Sequence, residues 1–195
     1  MTEQQVRQLL EQTGAILQGH FLLTSGRHGS TYVEKFQVLQ HPRHTEALAA
    51  ALAERFAGDH VQVVVGPAMG GVLLAHEVGK KLGTRALFTE RENGVMTLRR
   101  GFTIEPGERV VVVEDIVTTG GSVKEVLDVV AKAGGVIVGA GLLVDRSGGS
   151  LDLGVRTEAL LHLTSENFPT QTYEPSACPL CAQGVPLTKR GSRKL

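Results

Sequence analysis

A chain of 195 residues, 42% hydrophobic and 21% charged, is long enough to bury the core of one ordinary domain. Its 20 Lys and Arg balance 20 Asp and Glu, and its aromatics are six Phe and two Tyr with no Trp. That composition argues against a binder of nucleic acid or anionic lipid, which needs a basic face or base-stacking rings. The 24 glycines exceed the roughly 14 that average usage of about 7% would give, and they follow no collagen-like period.

In chain order, Val6, Leu9, Leu10 and Thr13 recur at helical spacing until Gly14, which predicts a short amphipathic helix. Phe21 to Leu39 reads as strands broken by the turn-rich Thr24-Ser-Gly-Arg-His-Gly-Ser30. After His41-Pro42, the positions Leu48, Ala51, Leu52, Arg55 and Phe56 mark a helix that ends at Gly58. Val61–Val65 predicts a strand; Gly66-Pro-Ala-Met-Gly-Gly71 is a glycine loop, followed by a helix over 72–82. A strand at 85–89 leads into the polar segment 90–106. Arg109–Val113 is the strongest strand pattern of the chain, and Val123, Val126, Leu127, Val130 and Ala131 form one helical face. A strand follows at 136–144, and Ala159, Leu160, Leu161 and Leu163 suggest a last one. Near-continuous apolar strands alternating with helices predict an α/β fold: a central, mostly parallel sheet with helices on both faces. The expected organisation is an N-terminal helix and hood over 1–40, a core over 41–168, and a C-terminal tail over 169–195 that ends in a basic, mobile stretch from Lys189.

The opening Met1-Thr-Glu-Gln-Gln-Val-Arg has no basic stretch leading into an apolar one, and runs such as Val110–Val113 are too short to span a bilayer. With only Cys178 and Cys181, a disulfide framework is excluded, and a cytoplasmic protein with no membrane partner is expected.

The densest chemistry lies in Arg109-Val-Val-Val-Val-Glu114-Asp115-Ile-Val-Thr118-Thr119-Gly120-Gly121-Ser122. Two acids stand where an apolar strand stops, which is where open parallel sheets bind ligands. The glycines permit close backbone approach, and Ser122 with Glu125 reads as a capping box that opens a helix. A helix N-terminus beside threonine hydroxyls is a phosphate cradle. A Gly-x-x-x-x-Gly-Lys-Ser/Thr loop is absent, and Gly139-Ala-Gly141 lacks the third glycine of a dinucleotide fingerprint, reading instead as a strand packed closely on a neighbour.

Glu114–Ser122 resembles the phosphoribosyl pyrophosphate (PRPP) motif of type I phosphoribosyltransferases, in which the acid pair holds the ribose hydroxyls and the Thr/Gly loop holds the 5′-phosphate. Phe21-Leu-Leu-Thr-Ser-Gly-Arg-His-Gly-Ser-Thr-Tyr32 is similar to the hood of the orotate phosphoribosyltransferases, and Leu143-Val-Asp145-Arg146 to the strand end that presents their orotate-binding arginine. Gly66–Gly71 is similar to their pyrophosphate loop. The resemblance implies transfer of phosphoribose from PRPP to orotate in pyrimidine biosynthesis, by a homodimer using Mg²⁺ held mainly by PRPP, with no direct protein metal ligand. It assigns PRPP binding to Glu114, Asp115, Ile116, Val117, Thr118, Thr119, Gly120, Gly121 and Ser122 together with Ala68, Met69, Gly70 and Gly71. It assigns orotate to Thr118, Arg146 and Tyr32. The chain departs from the family pattern at Thr24, where a lysine is usual, at Met69-Gly70 in place of Tyr-Lys, and in the segment 90–106, whose lysines and histidine are absent. Arg91, Arg99 and Arg100 are the candidates to supply that charge, with Glu114 and Asp115 completing the catalytic set. Two readings of 90–106 stay open: a lid over PRPP, in its own or a neighbouring subunit's site, or an exposed hairpin whose arginines pair with Glu90, Glu92 or Glu105.

Two alternatives remain beside the main reading. A purine phosphoribosyltransferase would share the PRPP motif, and a PRPP-sensing regulator would share it without catalysis. Cys178-Pro-Leu-Cys181 has the spacing of half a zinc site, which only a second copy or nearby histidines could complete; two free thiols in the tail is the favoured reading over that and over a redox pair. No His-x-x-x-His occurs, and His28 in the hood is the histidine to test for substrate contact.

Overall fold

The computed structural model describes residues 1–195 except 24, 166, 167, 169, 170 and 191–195. The elements in order are α1 (Glu3–Gln12), β1 (Ile16–Leu22), β2 (His28–Val33), α2 (Phe36–Leu39), α3 (Pro42–Glu54), β3 (Val63–Pro67), α4 (Gly70–Leu82), β4 (Arg85–Glu92), β5 (Val95–Leu98), β6 (Arg109–Val117), α5 (Gly121–Lys132), β7 (Val136–Asp145), β8 (Thr157–His162), β9 (Thr172–Tyr173), a 3₁₀ turn (Pro175–Ala177), α6 (Pro179–Ala182) and β10 (Thr188–Lys189). A six-stranded sheet has the order β5-β4-β3-β6-β7-β8, parallel throughout except for the antiparallel β4–β5 hairpin at its edge. The expected α/β architecture is therefore present.

Period-2 alternation within each strand divides the core into two layers. Val64, Val111, Val113 and Leu143 pack beneath Leu48, Leu52 and Phe56 on the α3 side and Leu74, Ala75 and Val78 of α4. Val63, Val65, Val110, Val112 and Leu142 face Val123, Val126, Leu127 and Val130 of α5 on the other side. Gly139 and Gly141 leave room for α3: a Cβ at Gly141 would stand 3.1 Å from both Leu52 and Phe56, and one at Gly139 3.0 Å from Phe56. The close strand packing expected of that pair is what the fold uses.

A second, four-stranded sheet, ordered β10-β1-β2-β9, forms the hood. Its outer strands come from the C-terminal segment: β10 runs parallel to β1, and β9 runs antiparallel to β2. The hood departs from expectation at Phe36–Leu39, which is a short helix rather than strand, because Val38 and Leu39 turn into the core while Phe36 stays exposed. The mobility expected from Lys189 onward lies outside the described residues apart from Lys189 and Arg190, and Lys189 belongs to β10. No helix among the described residues is long and apolar enough to cross a membrane.

Phe56 is fully buried, with the Arg156 guanidinium 5.1 Å over its ring. Phe56→Ala is expected to destabilise the fold by about 3–5 kcal/mol through the cavity left over Gly139 and Gly141. Urea unfolding checks this, and an unchanged midpoint would contradict the packing described.

Candidate active site at the strand ends

β6 carries its last residues, Glu114 to Val117, to the end of the sheet, where α5 begins after a loop of three residues. Gly120 caps α5 with φ 79°, in the left-handed region that favours glycine, and no side chain bonds to the first turn. The expected capping box is thus absent: the cap is Gly120 rather than Ser122, the helix starts two residues earlier, and Glu125 turns outward to Arg91 instead. The first-turn N–H groups are left free, facing a cleft of about 300 Å³ lined by Arg91, Glu114, Ile116–Val123 and Glu125. Free amides at a helix N-terminus beside the Thr118 and Thr119 side chains form an anion site.

Two further clefts adjoin it, and Ile116 lines all three. One of about 430 Å³ is walled by Tyr32, Lys35, Thr118, Arg146, Thr172 and Arg190. The other, about 770 Å³, reaches Pro67, Ala68 and Met69 as well as Glu114, Asp115, Lys35 and Arg91. The second glycine loop packs with no spare volume. A Cβ on Gly66 would lie 2.2 Å from the Gly71 carbonyl, and one on Gly70 1.5 Å from Asp115 Oδ2. Glycine is required at both positions for the loop to lie against the acid pair.

The acids are buried, Asp115 at 1% exposure and Glu114 at 8%. Lys35 Nζ stands 2.8 Å from Asp115 Oδ2 and donates to Oδ1 at 3.0 Å; Oδ1 also accepts from the Ile116 N–H at 2.6 Å. Burial pulls the Lys35 ammonium down, but Asp115 outweighs it and holds the group above the ordinary lysine range. Glu114 has no comparable cation. Burial, with the neighbouring Asp115 charge adding to it, pushes its carboxyl up to about 8. Lys35 is the functional residue that sequence reasoning passed over, since nothing in Glu34-Lys35-Phe36 announces an acid 80 positions away.

Arg146 follows β7, and its N–H bonds to Val117 O at 2.7 Å, placing it beside Thr118. The side chain is half-buried, and among the described residues it makes no ion pair; Glu158 is taken by Arg156. Burial lowers the Arg146 pKa from its ordinary value, with Tyr32 opposing. Tyr32 itself is raised by burial and then by Glu34. The structure thus brings Glu114–Ser122, Ala68, Met69, Tyr32 and Arg146 around one continuous cavity system, while Gly70 and Gly71 line none of the three clefts and pack against Asp115 and against Gly66 and Pro67 respectively.

The arginines of 90–106 are arranged otherwise. Within one chain this segment contains the β4–β5 hairpin, where Arg100 grips Glu90 (2.8 and 3.1 Å) and Arg99 lies 3.3 Å from Glu92 and 3.7 Å from Glu90. Arg91 alone of the three lines the cleft at the start of α5, bonded to Gly94 O at 2.7 Å and to Glu125 at 2.8 Å. His28 is also not where substrate contact was expected: it is 5% exposed and buried against His20 and the two cysteines. The departure noted at Thr24 lies outside the described residues.

Comparison with known proteins agrees with this geometry. The phosphoribosyl transferase domain matches residues 36–154, a span that takes in Lys35's neighbour at one end and both loops. The chain is 59% identical to the orotate phosphoribosyltransferase of Pelotomaculum thermopropionicum and 55% identical to that of Desulforamulus reducens, each over 195 residues and the whole of both chains. Among solved structures, orotate phosphoribosyltransferase from Aeropyrum pernix superposes with a TM-score of 0.65 at 28% identity, covering 80% of this chain and 93% of that one. The segment that builds the cleft is thus also the segment the family shares, and the chain belongs to the phosphoribosyltransferases.

Proposed function

We propose that this protein transfers the 5-phosphoribosyl group from PRPP to orotate, giving orotidine 5′-phosphate and pyrophosphate. The observation that carries the choice of base is Arg146: half-buried, without a carboxylate partner among the described residues, and facing Tyr32 in the cleft next to Thr118. A planar carboxylated base satisfies an arginine fork at that place, whereas a purine brings no carboxylate. The full-length relatives named for orotate support the same choice.

In this reading the free amides of α5 and the Thr118 and Thr119 hydroxyls hold the 5′-phosphate, and Glu114 and Asp115 take the ribose hydroxyls. The backbone over Ala68–Gly71 receives the pyrophosphate. Positive charge builds on the anomeric carbon as negative charge builds on pyrophosphate, so the protein's task is to fix both substrates and neutralise the leaving group. Among the described residues, Lys35 and Arg91 are the cations that line the two clefts containing Glu114. Hard oxygen donors at Glu114 and Asp115, the first with a pKa raised by burial and by the neighbouring acid, fit a hydrated Mg²⁺ carried in by PRPP; when bound, that ion would supply Lewis-acid charge neutralisation. The reading extends to a cytoplasmic homodimer in which the partner's hairpin, rather than the chain's own, closes over the cleft. Arg99 and Arg100 would exchange their Glu90 and Glu92 contacts for phosphate oxygens.

Mixing the protein with Mg²⁺, PRPP and either orotate or a purine, and following base consumption, tests the function: orotate alone should be consumed, and consumption of no base would sink the proposal. Arg146→Ala is expected to raise the KM for orotate about 10- to 100-fold with the KM for PRPP little changed, matching the loss of one charge-assisted fork. Glu114 gives a prediction in pH. Its folded pKa lies above the unfolded one, so the native state holds more protons between about pH 4.5 and 8 and stability falls across that window as pH rises. Glu114→Gln removes this penalty, so thermal melts should show the variant more stable than wild type at pH 8, with the gap closing toward pH 5, while turnover drops. A gap independent of pH would contradict the assignment.

A further inference from the structure

The C-terminal segment is poorly anchored by ordinary means. From residue 171 to 190 only Cys178 is buried, and the two strands it adds to the hood are two residues each. Arg27 adds hydrogen bonds to Thr172, at 2.8 Å to Oγ1 and 2.9 Å to the carbonyl, together with a surface ion pair to Glu174. Such pairings contribute little by themselves, and small units with so little buried apolar surface generally need a cross-link. Yet the segment delivers Thr172 and Arg190 to the wall of the cleft that holds Arg146.

A cross-link is available. His20 of β1, His28 of β2, and Cys178 and Cys181 flanking the start of α6 direct one ligand atom each to a common centre, all within 4.8 Å of one another. Cys178 Sγ is 3.5 Å and Cys181 Sγ 3.8 Å from His20 Nε2; Cys181 Sγ is 3.3 Å and His20 Nε2 2.9 Å from His28 Nδ1. A tetrahedral zinc with its usual Zn–N and Zn–S bonds separates its ligand atoms by about 3.3–3.8 Å, so three of these spacings already fit and the histidine pair would open by roughly 0.4 Å. The orientation of His20 is fixed from behind. Its Nδ1 lies 2.8 Å from Val185 O, a group that only accepts, so Nδ1 carries the proton and the Nε2 lone pair points at the centre. Three of the four residues are at most 5% exposed, while Cys181 is exposed and gives an ion its way in.

We propose that His20 Nε2, His28 Nδ1, Cys178 Sγ and Cys181 Sγ bind one structural zinc ion that fastens the C-terminal segment to the β1–β2 hairpin. Two thiolates and two neutral imidazoles match the closed Cys₂His₂ set of structural zinc, and no open position is left for catalysis. The site stands outside the three clefts and rests on its own geometry, independent of which base the enzyme uses.

The test is elemental analysis of full-length protein purified without an affinity tag that binds metal. One zinc per chain is expected in wild type and a loss of it in Cys178→Ser and in Cys181→Ser. Chelation of wild type should lower Tm by about 5–10 °C, with zinc restoring it. Because the variants could fail through misfolding, wild type reconstituted with Co²⁺ provides a second reading: the intense visible bands of tetrahedral cobalt together with a thiolate charge-transfer band. Wild type from zinc-supplemented growth that carries no zinc, or whose Tm ignores chelator, would overturn the proposal. So would zinc retained equally in both serine variants, iron in place of zinc, or a Cys178–Cys181 disulfide in the freshly isolated protein.

Discussion

The buried carboxylate of Asp115 is the contact on which the active-site architecture turns. It lies near the end of the strongest strand of the sheet, fills the space a Cβ on Gly70 at the start of α4 would need, and is held by Lys35 arriving from the hood. Three parts of the chain far apart in sequence are thereby tied to one side chain. A buried carboxylate left unpaired would cost more than any single surface contact could return, so Lys35 is required for the fold as well as for charge in the cavity. Gly70 is likewise dictated by the neighbour rather than by its own backbone. The second glycine loop lies where it does because an acid occupies the space a side chain would need.

Glu114 shows the complementary choice. It sits one position earlier, receives only the Asp115 N–H at 3.1 Å, and lacks a cation of its own. Two adjacent acids in nearly the same burial therefore differ in their partners: Asp115 has the Lys35 ammonium, while burial and the neighbouring acid hold the Glu114 carboxyl above the ordinary range. Arg146 is the counterpart on the opposite wall: a cation placed in partial burial with nothing paired to it among the described residues. Both groups are poised at a cost to stability that a ligand would relieve.

What could be read from the chain in advance follows the range of the interactions. Strands of unbroken valine, helices with a 3.6-residue face and the Thr-Thr-Gly-Gly turn are local patterns, and the alternation of elements and the phosphate loop were legible from them. Ser122 looked like a cap because the spacing to Glu125 is right, but Gly120 in the left-handed region moves the helix start and Arg91, 34 positions away, claims the glutamate. Lys35 has no periodic signature, and its role exists only once β6 is beside the hood. The same holds for the C-terminal strands, too short to show alternation, and for His20 and His28, which meet the cysteines across 153 to 161 positions. Each of these depends on contacts between segments whose proximity no local rule expresses.

The pairing of Phe21 with Thr188 carries a consequence for how the molecule comes into being. The hood's first strand leaves the ribosome well before its neighbour, since Phe21 and Thr188 lie 167 positions apart. The six-stranded core, with its mostly adjacent connections, can condense while the hood sheet still lacks both flanks, since domains form progressively during synthesis and distant pairings close last. The wall that contains Thr172 and Arg190 is then the final part to settle. The loop before α5 can therefore take shape ahead of that wall, and arrival of the segment carrying Thr172 and Arg190 decides when the cavity becomes whole.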